Sequence, residues 1–514
     1  ADRYHGLASK NFSLFAKHTK EINMSTRRQL IKGGIAGLFS AGAASVMATP
    51  KDQPQQFDEV YDLVIIGAGG AGLSAGGHAA EDGMKVLILE KMSFPGGSSA
   101  ISGGQWAAAG TPFQKAENIV DSEELFIKDM MEVGHGVCDP ELVKAFVSAS
   151  GREHDWMTKT SGMKPIKVMV NSGMSVPRSH RYNSSKVTMF YYEYAKKMGA
   201  KIVMNAKAEH LLWDNDKKEI TGVSVSDKNG NIKNYGSKNG VLLATGGFAR
   251  NPKLLAKYSP GSKDAVAISG GGTTGDGLLM AQEYGADVAD VAYVKPTYGF
   301  TLNPKHVSDK SSVFYAGALI VNNKGKRFIR ENDSYKTIGE AALAQDKGQS
   351  FMVFDETIRV QALPKDPREP RFMGEKGKTD FGFVGNTIEE VAQKAGIDPK
   401  ALRATVDDYN ANAPKGTDSL GRNTLAGGYG KPIALTEAPF VIIPATACLL
   451  STYCGLKVNK DLQVLDVFGE PIKGLYAAGE VCGGFHGQSS MSGTGFAKAF
   501  SLGRLAYESM TQKK

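Results

Sequence analysis

The sequence predicts an α/β fold organised on a parallel strand–helix–strand unit, and three observations carry that prediction. Tyr61-Asp62-Leu63-Val64-Ile65-Ile66 is a short apolar, β-branched run that leads straight into Gly67-x-Gly69-x-x-Gly72. Leu73 to Asp82 then reads as a helix closed by Gly83, and Lys85 to Leu89 as a second strand ending on Glu90. Towards the other end of the sequence stands a second glycine-rich stretch, Gly474 to Phe500.

Each element follows from its residues. The first run has the length and branching of a buried strand. Gly67 allows the tight turn, Gly69 lets backbone approach a pyrophosphate, and Gly72 lets helix and strand pack closely. The helix N-terminus offers free N–H groups and a positive dipole end to phosphates. Glu90 is placed to accept hydrogen bonds from ribose hydroxyls. NAD and FAD both use such a unit, and the sequel chooses between them. Gly96-Gly97-Ser98-Ser99-Ala100-Ile101-Ser102-Gly103-Gly104 is read as an extended loop along which a long flavin ligand lies. The cofactor is therefore read as FAD, and the late glycines as the other wall of its pocket.

At 514 residues the chain is too long for one simple core and calls for two domains, or one with a large insertion. Hydrophobic residues at 41% and charged residues at 22% are those of a soluble globular protein. The formal charge is +8, much of it in the leader described next, and no basic stripe interleaves with aromatics, so no nucleic-acid partner is expected. Cys138, Cys448, Cys454 and Cys482 form neither CxxC nor CxxCH, which argues against haem, zinc or iron–sulfur ligation, and no metal site is predicted. The cysteines are read as free buried thiols, with Cys482 half-exposed beside the ligand.

Met24-Ser25-Thr26-Arg27-Arg28-Gln29-Leu30-Ile31-Lys32 and the weakly apolar run to Ala48 look like a twin-arginine export signal, residues 24–48. Residues 1–23 precede its start Met and are read as a non-native or disordered leader. The apolar run is too short for a membrane span. The expected location is the periplasm.

With these motifs the sequence resembles the flavoprotein of the fumarate reductase/succinate dehydrogenase superfamily, notably its soluble periplasmic members. The resemblance covers about residues 57–510 and rests on GAGGAG, GGSSAISGG, Leu243-Ala244-Thr245-Gly246-Gly247-Phe248, Thr274-Gly275-Asp276-Gly277, Gly325-Lys326-Arg327-Phe328 and Gly474-Leu475-Tyr476-Ala477-Ala478-Gly479-Glu480. It implies a Rossmann-like FAD-binding domain in two parts, 57–293 and 447–514, with an α+β capping domain inserted over 294–446. It implies that Ala71 and Glu90 touch the adenosine half, and that Ser98, Ser99, Gly103 and Gly104 line the flavin. Ala208 meets the adenine through its backbone, and Asp276, Glu480, Gly495 and Phe496 close the site. Gly67, Gly69, Gly70, Gly72, Lys91, Gly97, Thr245, Gly246, Ser451 and Gly479 complete the expected cofactor set. The glycine/serine loop contains no His, so the FAD is expected to be non-covalent.

The resemblance also exposes departures. Where fumarate reductases hold a dicarboxylate with histidines and arginines, this sequence has Lys295 in Lys295-Pro296-Thr297, Tyr335, Leu450 and Ser490. Removing a buried charged partner costs about 2–5 kcal/mol, so fumarate is not the expected substrate. Tyrosines crowd the region instead: Tyr293, Tyr298, Tyr315, Tyr335 and Tyr453. Tyr335 is the expected acid, Tyr298 or Tyr453 a carbonyl partner, and Lys295 a holder of one carboxylate. His486 is read as packing on the flavin. Three functions stay open: an alkene reductase fed by a separate cytochrome c or other periplasmic donor, a 3-ketosteroid dehydrogenase or reductase, and a non-catalytic electron relay.

Overall fold

The computed structural model describes residues 56–171, 173–364, 369–426 and 428–513. The expected leader and export signal lie outside the described residues. A six-stranded sheet forms the centre of the first core, in the order Gln463–Leu465, Pro471–Ala477, Val241–Leu243, Leu63–Ile66, Val86–Leu89 and Lys201–Val203. All neighbours in it run parallel except the edge strand Gln463–Leu465. Leu63–Ile66, Val86–Leu89 and Val241–Leu243 are wholly buried, as continuous apolar strands of a sheet covered on both faces must be. The α/β expectation is met.

The first helix spans Gly70–Glu81 and so begins three residues earlier than the sequence pattern indicated. Glycines are poor helix formers, at about 1 kcal/mol each, but close packing overrides that preference here. A Cβ on Gly72 would stand 1.9 Å from the carbonyl oxygen of Gly67, and one on Gly76 would stand 2.4 Å from Ile88. The long helix Thr494–Thr511 crosses it equally tightly, a Cβ on Gly503 falling 2.2 Å from the Ala71 carbonyl. The two glycine-rich stretches are therefore packed together, and together they make one surface.

The glycine/serine stretch is not extended, as the sequence was read to imply. Gly96, at φ 111°, turns the chain into a short helix, Gly97–Ile101. Its turn brings Ser99 Oγ to the Gly70 N–H at 3.2 Å. The half-exposed thiol expected at Cys482 is also corrected: all four cysteines are free and buried.

A second hydrophobic cluster gathers residues from Tyr298 to Ala447. Its spine is the ten-residue strand Phe440–Leu449, which pairs with Ser350–Phe354, Phe383–Gly385 and Thr297–Phe300. The last two residues of that strand also pair with Val266–Ala267, on the side of the first core. Arg327, from the GKRF motif, is absorbed into this cluster, pairing with Glu331 at 2.7 Å and Asp418 at 2.5 Å. It is thereby tied down away from any ligand.

Candidate active site

Between the two cores runs a cavity of about 1480 Å³. Its first half is walled by the Gly67–Ala71 turn, Glu90 and Lys91, the Gly97–Gly104 stretch, Ala208, Thr245 and Gly246, Asp276, Ser451, Gly479 and Glu480, and Gly495 and Phe496. Gly72 stands behind this wall, where its lack of a side chain admits the Gly67 carbonyl.

The wall has the chemistry of a dinucleotide cradle. A Cβ on Gly69, Gly103 or Gly495 would meet no protein atom within 4 Å, so these positions keep space open for a ligand. No N-cap side chain serves the helices that start at Gly70 and Thr494; Ser99 Oγ takes the Gly70 N–H and the Met491 carbonyl the Thr494 N–H, and the next N–H dipoles of each first turn stay available to anionic or electron-rich groups. The Thr245 hydroxyl is buried with no partner. Glu90 is held by the Ala68 N–H at 2.9 Å and the Met92 N–H at 2.8 Å, which fixes its carboxylate at the end of its strand. Lys91 pairs with Asp276 at 2.8 Å, tying the two sides of the cradle together. Residues and space fit FAD.

Glu480 does more than line the cavity. It accepts the Thr452 N–H at 2.8 Å, and a Cβ on Gly247 would lie 2.3 Å from its Oε1. Burial raises its pKa. Glu480 thus fastens the Ser451–Thr452 turn to the Gly246–Gly247 turn.

The second half of the cavity is built from side chains. Tyr335 opens the helix Tyr335–Leu343, capped by Ser334, and its N–H is held by the Tyr315 hydroxyl at 2.9 Å. The Tyr335 hydroxyl lies 3.5 Å from Ser492 Oγ. Tyr453 is 2.5 Å from Ser490 Oγ. Loss of solvation raises the pKa of both phenols, so both carry their proton at neutral pH. The His486 ring packs 5.2 Å from that of Tyr453, and its Nδ1 is buried without a partner. Burial, then the charges of Lys498 and Lys336, hold its pKa well below the usual range, so the ring is neutral.

Two expected site residues are corrected. Tyr298 also borders the cavity, but its hydroxyl is spent inside the second core on Ser350, at 2.7 Å. Lys295 is bound to Glu340 at 2.5 Å and lines only a small side cavity. Lys305, Lys310 and Lys498 also line the cavity, and the cation between the two tyrosines is Lys336, a residue the sequence motifs did not single out. A signal existed: it sits in the first turn of a helix, where the dipole disfavours positive charge.

The family model for the FAD binding domain matches residues 62–496. The chain belongs to the fumarate reductase-like family of FAD-binding flavoproteins. It is 33% identical over 459 residues to a "Fumarate reductase (cytochrome)" of Shewanella frigidimarina, a match covering 88% of this chain and 77% of that protein. An acrylate reductase flavoprotein subunit of Shewanella woodyi is 28% identical, with 95% and 98% covered. Among solved structures, 3-ketosteroid-Δ4-(5α)-dehydrogenase from Rhodococcus jostii RHA1 superposes with a TM-score of 0.72 at 25% identity, covering 88% and 97%. This flavoprotein is an FAD-dependent oxidoreductase, as its sequence implied. Among the described residues no helix is long and apolar enough to cross a membrane.

Proposed function

We propose that this flavoprotein reduces a C=C bond conjugated to a carbonyl-type group, and that Tyr335 donates the proton. The observation that carries the reading is the pair of protonated phenols, Tyr335 and Tyr453, each beside a serine hydroxyl on the wall facing the glycine cradle. Bound FAD supplies the hydride to one alkene carbon. Tyr335, its backbone fixed by Tyr315, delivers the proton to the neighbouring carbon. Tyr453, oriented by Ser490, hydrogen-bonds the activating oxygen. A cap over 294–446, supported by the second core, excludes water from the reacting atoms. The FAD is held without a covalent link, since Gly96–Gly104 offers no His. The relatives' names support a separate cytochrome as electron source, and Arg27-Arg28 supports export to the periplasm.

Fumarate is rejected because Tyr335 and Ser490 stand where a dicarboxylate needs cations. The test is reoxidation of the dithionite-reduced flavin. Cinnamate or acrylate should restore the oxidised spectrum, and fumarate should leave it reduced. Rapid reoxidation by fumarate overturns the reading of Tyr335 and Ser490. A second reading, a neutral cyclic enone of the ketosteroid type, is favoured by the paired tyrosines and by the dehydrogenase structure above. A response to 4-ene-3-ketosteroids alone selects it. Silence to every acceptor leaves the electron relay.

A further inference from the structure

Lys336 is 4% exposed and lines both the large cavity and a side cavity of about 210 Å³. The ammonium donates to Thr297 Oγ1 at 2.8 Å and to the Lys295 carbonyl at 3.1 Å. Both acceptors are neutral, and an ammonium has a third N–H to give. Among the described residues no carboxylate pairs with it. The contrast with Lys91, matched by Asp276 on the cofactor side, is direct. The faces of Tyr335 and Tyr453 lie 5.4 and 5.2 Å from Nζ, which places the charge between the two phenols assigned to the reaction.

A buried ammonium without a counter-ion costs several kcal/mol, a cost that an anionic guest removes. We infer that Lys336 holds a carboxylate of the substrate, making this a site for anionic enoates and selecting against neutral enones. This inference rests on the alkene-reducing reading of the same cavity. The Lys336 ammonium, flanked by phenol and serine hydroxyls, supplies a buried charge beside several neutral donors. One carboxylate saturates its third N–H. A neutral enone leaves Lys336 as uncompensated as in the free protein.

The test separates binding from turnover. Calorimetry on the holoenzyme compares 3-phenylpropanoate with 3-phenylpropanamide, saturated probes of one shape that differ in charge. Wild type should bind the acid at least tenfold more tightly. Lys336→Met should abolish that preference while leaving amide affinity within threefold, and Lys336→Arg should restore part of it. Equal affinities in the wild type, or a preference that survives in Lys336→Met, overturns the inference. Should Lys336→Met lose its flavin, Lys336→Gln replaces it with the same expectations, and the wild-type acid/amide ratio decides on its own. If the acid is preferred through Lys336 yet cinnamate fails to reoxidise the flavin, the alkene reading falls and the anion site stands. If cinnamate and cinnamamide reoxidise it with equal KM in both wild type and Lys336→Met, the reverse holds.

Discussion

The cofactor half of the cavity is walled mainly by backbone and absent side chains, the substrate half by buried hydroxyls, an imidazole and lysine ammoniums. The first half gets its shape from what is missing. A methyl group at Gly72 collides with a carbonyl, and one at Gly69 intrudes only on ligand space. The second half gets its chemistry from what is present, brought from segments far apart: Thr297, Tyr335, Lys336, Tyr453 and Ser490. Substitutions in the first half should therefore decide whether the protein is yellow, and those in the second how fast, and on what, it works.

The sharpest way to break that division is Gly69→Leu. The protein should fold, and it should retain less than a tenth of its flavin after desalting, read by absorbance; full retention would mean that the cradle is not at Gly69. Gly72→Ala should lose flavin and stability together, because there the added methyl meets protein rather than ligand. Next in size, Tyr335→Phe should slow reoxidation of the reduced flavin by cinnamate by about 10²–10⁴-fold with flavin content unchanged. A wild-type rate would place the acid elsewhere.

A pH test reaches beneath the cofactor half. His180 is buried against His154, accepts from or donates to Thr111 at 2.8 Å, and burial lowers its pKa to about 4. The folded chain refuses a proton that the unfolded chain takes up below about pH 6.5. Stability from this residue is thus full above pH 6.5, declines as pH falls towards 4, and is down by about 2 kcal/mol at pH 5. Urea midpoints at pH 7 and 5 should show the drop, and His180→Asn should shrink it.

Smaller again, Tyr453→Phe should reduce kcat/KM for cinnamate about tenfold by removing one hydrogen bond to the activating oxygen. Least of all, Glu340→Gln should change it less than twofold, since Lys295 and Glu340 pair outside the main cavity.

The same division explains what could be read without coordinates. Spacing along the chain carries the glycine turn, its strands and Glu90, because those residues act within one local unit. Tyr335 and Ser490 were reachable by position in the family pattern. Lys336 carried one local mark, its place in a helix's first turn, but its burial comes from Thr297 and the Lys295 carbonyl, which approach from another segment. Tyr298 and Lys295 failed for the converse reason. Their residue types suited the chemistry, and their partners, Ser350 and Glu340, lie where no spacing rule reaches. The glycine/serine stretch was misjudged because its short helix depends on a left-handed Gly96, which composition alone does not distinguish from an open loop.

The strand Val241–Leu243 is flanked by Leu63–Ile66 on one side and by Pro471–Ala477 on the other. At about 5–20 residues per second, translation from position 243 to position 471 takes roughly 10 to 50 s. Throughout that interval a nascent chain carries an all-apolar strand with one edge bare, the kind of surface that recruits other chains. Flavin loading must wait as well, since Ser451, Gly479, Glu480, Gly495 and Phe496 of its cradle have not yet left the ribosome. Synthesis rate and chaperone cover over the intervening segment should therefore govern the yield of loaded protein more than flavin supply does.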